Sequence, residues 1–581
     1  MKSNKRIFLI VVVTALILIG FISCKKEFLD PQPYGRYSPE LIQSKKGIEG
    51  LLIGTYGLLD GSNTPGASGW MTGATNWVYG DVVSDDAYKG TDANDQPQMT
   101  QIELWNSQAD NTYFYYKWIS IYDGVARAND VIKAVGTIPE LTDADKKDYT
   151  AQARFLRGIF HFEAKRMWNK VPYITEATTT YDNKADIWPL IEADFKFAYD
   201  NLTATQPLVG KVNKWAAGAQ LAKVLMYEKK FTEAKALYDV IIPQGVTSNG
   251  KSYDLQPEYW KNFDNAFENS AEAVFSVQAA ASGTVNASAE TSYELAYPYG
   301  GVWGCCGFYQ PSQNLVNAFK VDDSGLPFLD DSYNNINLKN DEGITSNNPF
   351  TNDITIPLDP RLDWAVGRRG IPYYDYGPHP GRNWIRDQAY AGPFSPKKHV
   401  GKSTDNNGVA TNISNVRQTA KNYNIIRFAD VLLMAAEAEI EVGSLEKART
   451  YINRVRTRAG NPSGFVANSN PPGFVSGTSP ANYQVKIYQT PFTDQTMARK
   501  AVRFERRLEL AMEGHRFFDL VRWGIAAEVL NTYQAKEKVR RSYKNGSGGF
   551  TKGKNEYYPI PNRVIEIAKI DGNILVQNPG Y

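Results

Sequence analysis

The 581-residue chain is poor in the residues that carry most catalysis: it has four histidines and three cysteines, and its formal charge is only +2. His161, His379, His399 and His515 stand far apart. None has a second histidine at ligand spacing, which excludes the common zinc motifs. No Gly-x-Ser-x-Gly elbow occurs. Gly401-Lys402-Ser403 looks like the end of a phosphate loop, but Pro396 stands where the loop's first glycine is required. So small a net charge gives no bulk field for nucleic acid or for an anionic membrane surface. No cofactor and no metal are implied. Paired carboxylates for glycoside hydrolysis are the one catalytic arrangement left open, because their separation is set in space rather than in sequence. No Pro/Ser-rich linker and no charge run divides the chain.

Lys2, Lys5 and Arg6 precede an unbroken apolar run from Ile7 to Ile22. Its 16 residues are short for a membrane-spanning helix and suit a signal-peptide core. Phe21-Ile22-Ser23-Cys24 reads as a lipobox, with Cys24 acylated and residues 1–23 removed. The alternative is an ordinary secretory signal. Losing the leader's three positive charges takes the formal charge from +2 to −1. Several acyl chains on Cys24 would hold the protein on a membrane durably. The expected mature unit is a single globule over 24–581.

What the chain has in plenty is aromatic: 13% of residues, with twelve tryptophans. Some gather in Gly61–Thr100, where Trp70, Trp77, Tyr79 and Tyr88 are mixed with six glycines and with Asp81, Asp85, Asp86, Asp92 and Asp95. So many glycines predict a loop rather than a packed element. Rings that stack on sugar faces, beside carboxylates that accept from vicinal hydroxyls, are what glycan recognition needs. Trp77, Asp81 and Asp85 are therefore ligand candidates. The competing readings are a surface loop tucked under its own rings and a calcium site, although the spacing does not match an EF-hand.

Helical periodicity predicts elements at Leu41–Gly57, Tyr113–Val135 and Asp143–Trp168. His161, within the apolar part of the last, reads as a core residue. One repeat is demonstrable. Trp215, Ala219, Ala222 and Met226, then Phe231, Ala234, Tyr238 and Ile241, all map onto apolar residues when 214 is added: Ala429, Leu433, Ala436 and Ile440, then Leu445, Ala448, Ile452 and Val455. Each unit is an antiparallel helix pair with alanine at the close approaches, resembling a tetratricopeptide repeat. The two units are not consecutive, so the array is a solenoid split by a loop-rich insertion over about 245–420. The expected fold is mainly α, a tetratricopeptide-like scaffold over roughly 40–60, 111–243 and 424–530, with long inserted loops (61–105 and 245–420) and a few short strands, one of them within Ser270–Ala280.

The insertion carries the other candidates. Tyr297 precedes Gly300-Gly301-Val302-Trp303-Gly304-Cys305-Cys306-Gly307. Adjacent cysteines in an exported chain either form a vicinal disulfide, with glycine supplying the backbone freedom, or remain two free thiols. Bonded and beside Trp303, they would give a flat apolar platform. Further on, Arg368 and Tyr390 lie in a Gly/Pro-rich stretch of arginine and tyrosine. A guanidinium there either offers a fork of donors to a polyol or pairs with a nearby Asp.

Near the C-terminus, Met497, Ala501, Phe504, Leu508 and Ala511 make one apolar stripe, with Gly514 expected to close the helix and Gly524 a second, shorter one. Between them run Arg503, Glu505, Arg506, Arg507, Glu509, Glu513, His515, Arg516, Asp519 and Arg522. Interleaved opposite charges beside so much apolar surface predict a partly buried, mutually paired ion network, with the carboxylates held ionised by arginine.

That stretch resembles the signature of the SusD/RagB family. Three others agree: Arg427-Phe428-Ala429-Asp430-Val431-Leu432-Leu433-Met434 with Ala436-Glu437-Ala438; Ala153-Arg154-Phe155-Leu156-Arg157 running on to Trp168 and Val171-Pro172; and Tyr558-Pro559-Ile560-Pro561 with the closing Gln577-Asn578-Pro579-Gly580-Tyr581. The resemblance implies a lipid-anchored lipoprotein on the cell surface, at the outer membrane. It would capture an oligosaccharide and present it to a SusC-like TonB-dependent porin, without catalysis. It leaves open a peptide-binding lid of the same architecture, a structural partner of the porin with no ligand of its own, and a surface glycoside hydrolase.

Overall fold

The computed structural model describes residues 43–62, 64–281, 289–407, 410–412, 415–468 and 479–581. The expected leader, 1–23, and Cys24 lie outside these residues. The chain is mainly α-helical, a tetratricopeptide-like array of helix pairs with long inserted loops and a few two-stranded pairings.

Helices α1 (Lys45–Gly57), α2 (Thr112–Val135), α3 (Asp143–Trp168), α4 (Trp188–Asn201), α5 (Lys214–Tyr227) and α6 (Phe231–Gln244) pack each on the next, with α1 lying on both α2 and α3. Local chemistry sets their starts. Thr142 and Asp145 form a reciprocal capping box at α3, and the Asn213 side chain accepts the Ala216 amide at α5. The next helix against α6 is α7 (Phe428–Val442), which pairs with α8 (Leu445–Ala459). The solenoid is split, as the 214-residue offset predicts. Lys223 reaches Asp430 at 3.0 Å across the join, and Lys235 reaches Glu439 at 3.4 Å. Fourteen of the sixteen repeat positions are buried, and the two that are not, Phe231 and Leu445, are equivalent residues at the starts of α6 and α8.

The signature helix α9 (Gln495–Glu509) lies against α7 and α8 and is followed by α10 (Arg516–Arg522), α11 (Ala526–Arg540) and α12 (Asn562–Ile570). It ends five residues before Gly514. The carbonyls that would extend it are taken by side chains: Tyr259 Oη and Arg427 donate to Glu509 O at 3.0 and 3.1 Å, and His399 donates to Met512 O at 2.7 Å. Gly514 is left-handed (φ 76), but it ends a turn rather than the helix.

The ion network is there, and it is buried. Arg361 binds Asp359 and Glu505 at 2.7 Å and Glu509 at 3.0 Å; Arg427 binds Glu272 at 2.7 Å, Glu509 at 2.9 Å and Glu513 at 2.8 Å. Arg456 and Arg458 close it onto Glu505 and Glu509. Burial alone would raise the Glu509 carboxyl, but three surrounding guanidinium groups outweigh it and hold it at about 2.

One expectation fails. The glycine-rich stretch 61–105 is packed, not a surface loop. It contains short helical turns at Gly69–Thr72 and Trp77–Val82, strand β1 (Ala87–Gly90) and a helix at Pro97–Glu103. Its glycines serve close backbone approach: a Cβ at Gly80 would meet the Gly514 carbonyl oxygen at 1.9 Å. In the insertion, β2 (Ala273–Val277) is the expected strand, β3 (Phe308–Pro311) pairs antiparallel with β1, and β4 (Asn415–Thr419) precedes β5 (Tyr423–Arg427), which pairs antiparallel with β2.

Candidate ligand-binding site

The β1–β3 pairing sets the geometry. It places Gly90 opposite Phe308, and the Thr91 amide donates to Gly307 O at 2.5 Å, so the turns at 91–96 and 299–307 emerge together. In the second turn Gly300 bridges to Gly304, and Gly300, Gly301, Gly304 and Gly307 all have positive φ. That reversal points Val302 (62% exposed) and Cys305 outward and tucks Trp303 and Cys306 in. Cys305 and Cys306 are joined as a vicinal disulfide.

Trp303 is 4% exposed, so it supports the surface rather than forming it. Against it lie the half-buried rings of Tyr376 and Trp384, with centroids 4.9 and 5.0 Å away. Trp384 is fixed from below by Gly301, where a Cβ would come within 3.0 Å of the indole nitrogen. The Tyr299 amide donates to Trp384 O at 2.9 Å. The rings stand at steep mutual angles (58° for Trp303 with Tyr376, 89° for Tyr376 with Trp384), so they do not form a coplanar row.

Arg386 links this apolar patch to an open cavity of about 560 Å³ lined by Asp92, Glu342, Arg382, Arg386, Asp387 and Gln388. Its guanidinium sits 5.6 Å from the Tyr299 ring and is clamped by Asp92 and Asp95, each at 2.7 Å. Clamped so, it presents a fixed edge of donors, with the paired carboxylates as acceptors. Behind the patch, buried Lys397 donates to Asp363 O and Pro372 O at 2.6 and 2.7 Å, with the rings of Trp364, Tyr373 and Tyr374 around it. Desolvation lowers this amine to about 7.

Of the nine residues expected to meet a ligand, only Cys305 is exposed. Trp303, Tyr297 and Cys306 lie directly beneath the patch, at 4%, 1% and 2% exposure. The others need correcting. Trp77 is fully buried, its indole N–H donating to Ser292 O at 2.7 Å. Asp81 is equally buried and accepts from Tyr309 Oη, from the Gly514 amide at 2.7 Å and from the Arg516 amide at 3.3 Å. Desolvation, with Asp86 beside it, pushes Asp81 up to about 7. Asp85 pairs with Arg516 at 2.8 Å and Arg507 at 3.0 Å. Burial would raise it too, but the two guanidinium groups outweigh it and bring it to about 2. Arg368 is spent on a bidentate pair with Asp363 at 2.6 and 2.8 Å. Tyr390 stacks on Tyr543, 4.2 Å between centroids, beside the cavity rather than on the patch. For Trp77, Asp81 and Asp85 the partner is distant in sequence, which periodicity cannot reveal; for Arg368 it is only five residues away.

Tyr299, Val302, Tyr376, Trp384 and Arg386, which form the exposed surface here, are not among the nine. The available signal was the Gly-Gly-x-Trp-Gly spacing: a reversal that tight alternates inward and outward side chains.

The four histidines are buried or nearly so and uncharged at neutral pH. Desolvation lowers His161, His379 and His399 to about 3 and His515 to about 4. Among the described residues no group of three or more His, Cys, Asp or Glu is placed to hold a metal ion, and no helix is long and apolar enough to cross a membrane.

Residues 271–581 match the model of the SusD family. Residues 27–226 match a second model, described as starch-binding and associating with the outer membrane. SusD-like protein P2 of Formosa agariphila is 23% identical, with all of both chains covered. Among solved structures, a SusD superfamily protein from Bacteroides vulgatus superposes with a TM-score of 0.67 at 20% identity, over 93% of this chain and 99% of that one. Surface glycan-binding protein A from Bacteroides thetaiotaomicron, solved with laminarihexaose, superposes with a TM-score of 0.64 at 19% identity, over 92% and 99%.

Proposed function

This chain belongs to the SusD family, and from that premise we propose that it binds an oligosaccharide at the cell surface and passes it to a SusC-like TonB-dependent porin. It makes and breaks no bond. It is held on the outer membrane through acylated Cys24, outside the described residues. Two likenesses support the reading: the match to the family model described as starch-binding and associating with the outer membrane, and the structural neighbour solved with laminarihexaose.

The observation that carries the reading is the pairing of an exposed apolar patch with a cavity of fixed polar groups. Tyr299, Val302 and Cys305 offer hydrophobic surface on a glycine-locked turn, with the rings of Tyr376 and Trp384 beside it. A pyranose presents the same division, apolar C–H faces with a rim of hydroxyls. Its faces pack on the rings and its hydroxyls pair with the Arg386–Asp92 edge. Because the rings are steeply inclined, each takes a different sugar unit, which suits a bent chain better than a flat one. Three carboxyls are raised to about 7: Asp81 is buried against a tyrosine hydroxyl and two amides, Glu290 is buried and accepts from Ser292 and Tyr293, and the partly buried Glu268 accepts from the Asn422 amide.

The test is retention of the purified mature chain in gels impregnated with single polysaccharides, beginning with β-glucans. Trp384→Ala and Tyr376→Ala should each clearly reduce retardation in whichever gel slows the wild type. Undiminished retardation of both variants would remove this site. Retardation by none of the glycans, with binding to peptides instead, would favour the peptide-binding lid.

A further inference from the structure

The two halves of the Cys305–Cys306 disulfide are chemically unequal. Cys305 is exposed on the glycine-rich turn, whereas Cys306 is 2% exposed and packs into the main apolar core. Cys306 has a cationic neighbour. Arg417 Nη1, from β4, donates to Cys306 Sγ at 2.8 Å. The side chain is held in place by Asn415 Oδ1 at 3.1 Å, and the nearest carboxylate, Glu294, stands 4.0 Å away, at the limit of an ion pair. Its charge is therefore left largely available to the sulfur.

In thiol–disulfide exchange the attacked sulfur must be accessible, and the departing sulfur must carry negative charge. The rate rises as the departing thiol's acidity rises. Accessibility selects Cys305 for attack. The adjacent guanidinium selects Cys306 for departure, since a neighbouring cation stabilises a thiolate. The two requirements fall on opposite members of the pair, which is the arrangement that favours reaction. Glycine at 304 and 307, both left-handed, lets Cys305 swing outward once the bond opens.

We propose that this disulfide is a thiol-exchange site that takes up a low-molecular-weight thiol on Cys305. The incoming thiolate attacks Cys305 Sγ; a new S–S bond forms there as the Cys305–Cys306 bond breaks. The electron pair leaves with Cys306 Sγ, which remains a thiolate against Arg417. No external oxidant or reductant is needed beyond the thiol itself. Attack by that thiolate on the mixed disulfide runs the step backwards and releases the thiol, so the modification is reversible. The inference does not rest on the glycan reading, and either can fail alone.

Glutathione is the probe. The mature chain is mixed with it, quenched with acid to halt exchange, and mapped by peptide mass spectrometry without reduction. The adduct should lie on Cys305, with Cys306 free. Arg417→Gln should slow adduct formation about tenfold, and Arg417→Lys should restore most of the rate. An unchanged melting temperature for Arg417→Gln separates this from a folding defect. The adduct site in the unaltered chain decides the matter independently of any variant. An adduct mainly on Cys306, no adduct at all, or a wild-type rate in Arg417→Gln would each overturn the proposal. So would two free thiols in the untreated protein.

Discussion

Gly80 and Gly514, more than 400 residues apart, touch backbone to backbone: a Cβ on Gly80 would sit 1.9 Å from the Gly514 carbonyl oxygen, and one on Gly514 would sit 2.1 Å from Thr75 O. Beside this contact the Gly514 amide donates to Asp81 at 2.7 Å. The crossing ties the N-terminal aromatic stretch to the signature motif. Gly80→Ala and Gly514→Ala should each destabilise the protein by about 3 kcal/mol or more, the latter also through its φ of 76. Chemical denaturation of the two variants measures this. A loss below 1 kcal/mol in either would mean the crossing yields.

Glu509 faces Arg361, Arg427 and Arg458 at 3.0, 2.9 and 2.5 Å. Removing its charge leaves buried guanidinium groups short of an anion. Glu509→Gln is expected to lose about 3–5 kcal/mol of stability, read from the same unfolding curves, with no direct effect on ligand contacts.

Acid should unfold the protein through this network. Glu509, Asp85 and Asp519 sit at about 2, below their ordinary range: burial works against this, but the arginines prevail. Their contribution is fully present above pH about 4.5 and is lost as pH falls toward 2. Asp81 has the opposite sign. Raised to about 7, it keeps its proton longer in the folded state than in the unfolded one, so its own contribution falls as pH rises from about 4 to 7. The histidines, lowered to about 3 and 4, contribute a rise over the same range. Asp81→Asn removes the falling contribution, so the variant should gain stability relative to the unaltered chain as pH rises from about 4 to 7. Melting temperatures of both proteins across pH 2–8 test this; a difference that does not change with pH would refute the assignment.

Trp77 and Trp384 should part company. Trp77→Ala empties a fully buried site and is expected to cost about 3–5 kcal/mol. Trp384→Ala, on a half-buried ring, should leave folding nearly intact and weaken glycan binding about tenfold. Melting curves and gel retardation on both variants give the contrast. Equal effects on stability would undo it.

The scaffold was legible in the sequence because it is periodic. The 214-residue offset between Trp215 and Ala429 is enough to expect two equivalent helix pairs, and α6 does lie against α7. The alternation of Arg and Glu from Arg503 to Arg522 likewise announced a paired network. The site was less legible. Asp81 and Asp85 sit in a glycine-rich, aromatic stretch that reads as surface. What buries them is Gly514, Arg507 and Arg516, over 400 positions on, and no local pattern carries that information. Arg368 was read as a possible ligand group, and its partner Asp363 lies only five residues away; there the chemistry admitted both outcomes. Trp303 was read as a ligand contact, but it faces inward and is 4% exposed. The turn that decides this depends on positive φ at Gly300, Gly301, Gly304 and Gly307, which glycine permits but does not compel.

The split solenoid also governs the order in which the chain can complete itself. Synthesis delivers α6 long before α7, with the whole stretch from 245 to 427 between them. Until the second hairpin arrives, the side of α6 that α7 covers has no neighbour and stays wet. The nascent first half is thus an array missing its end cap, prone to self-association. It is rescued only when the far segment loops back to dock.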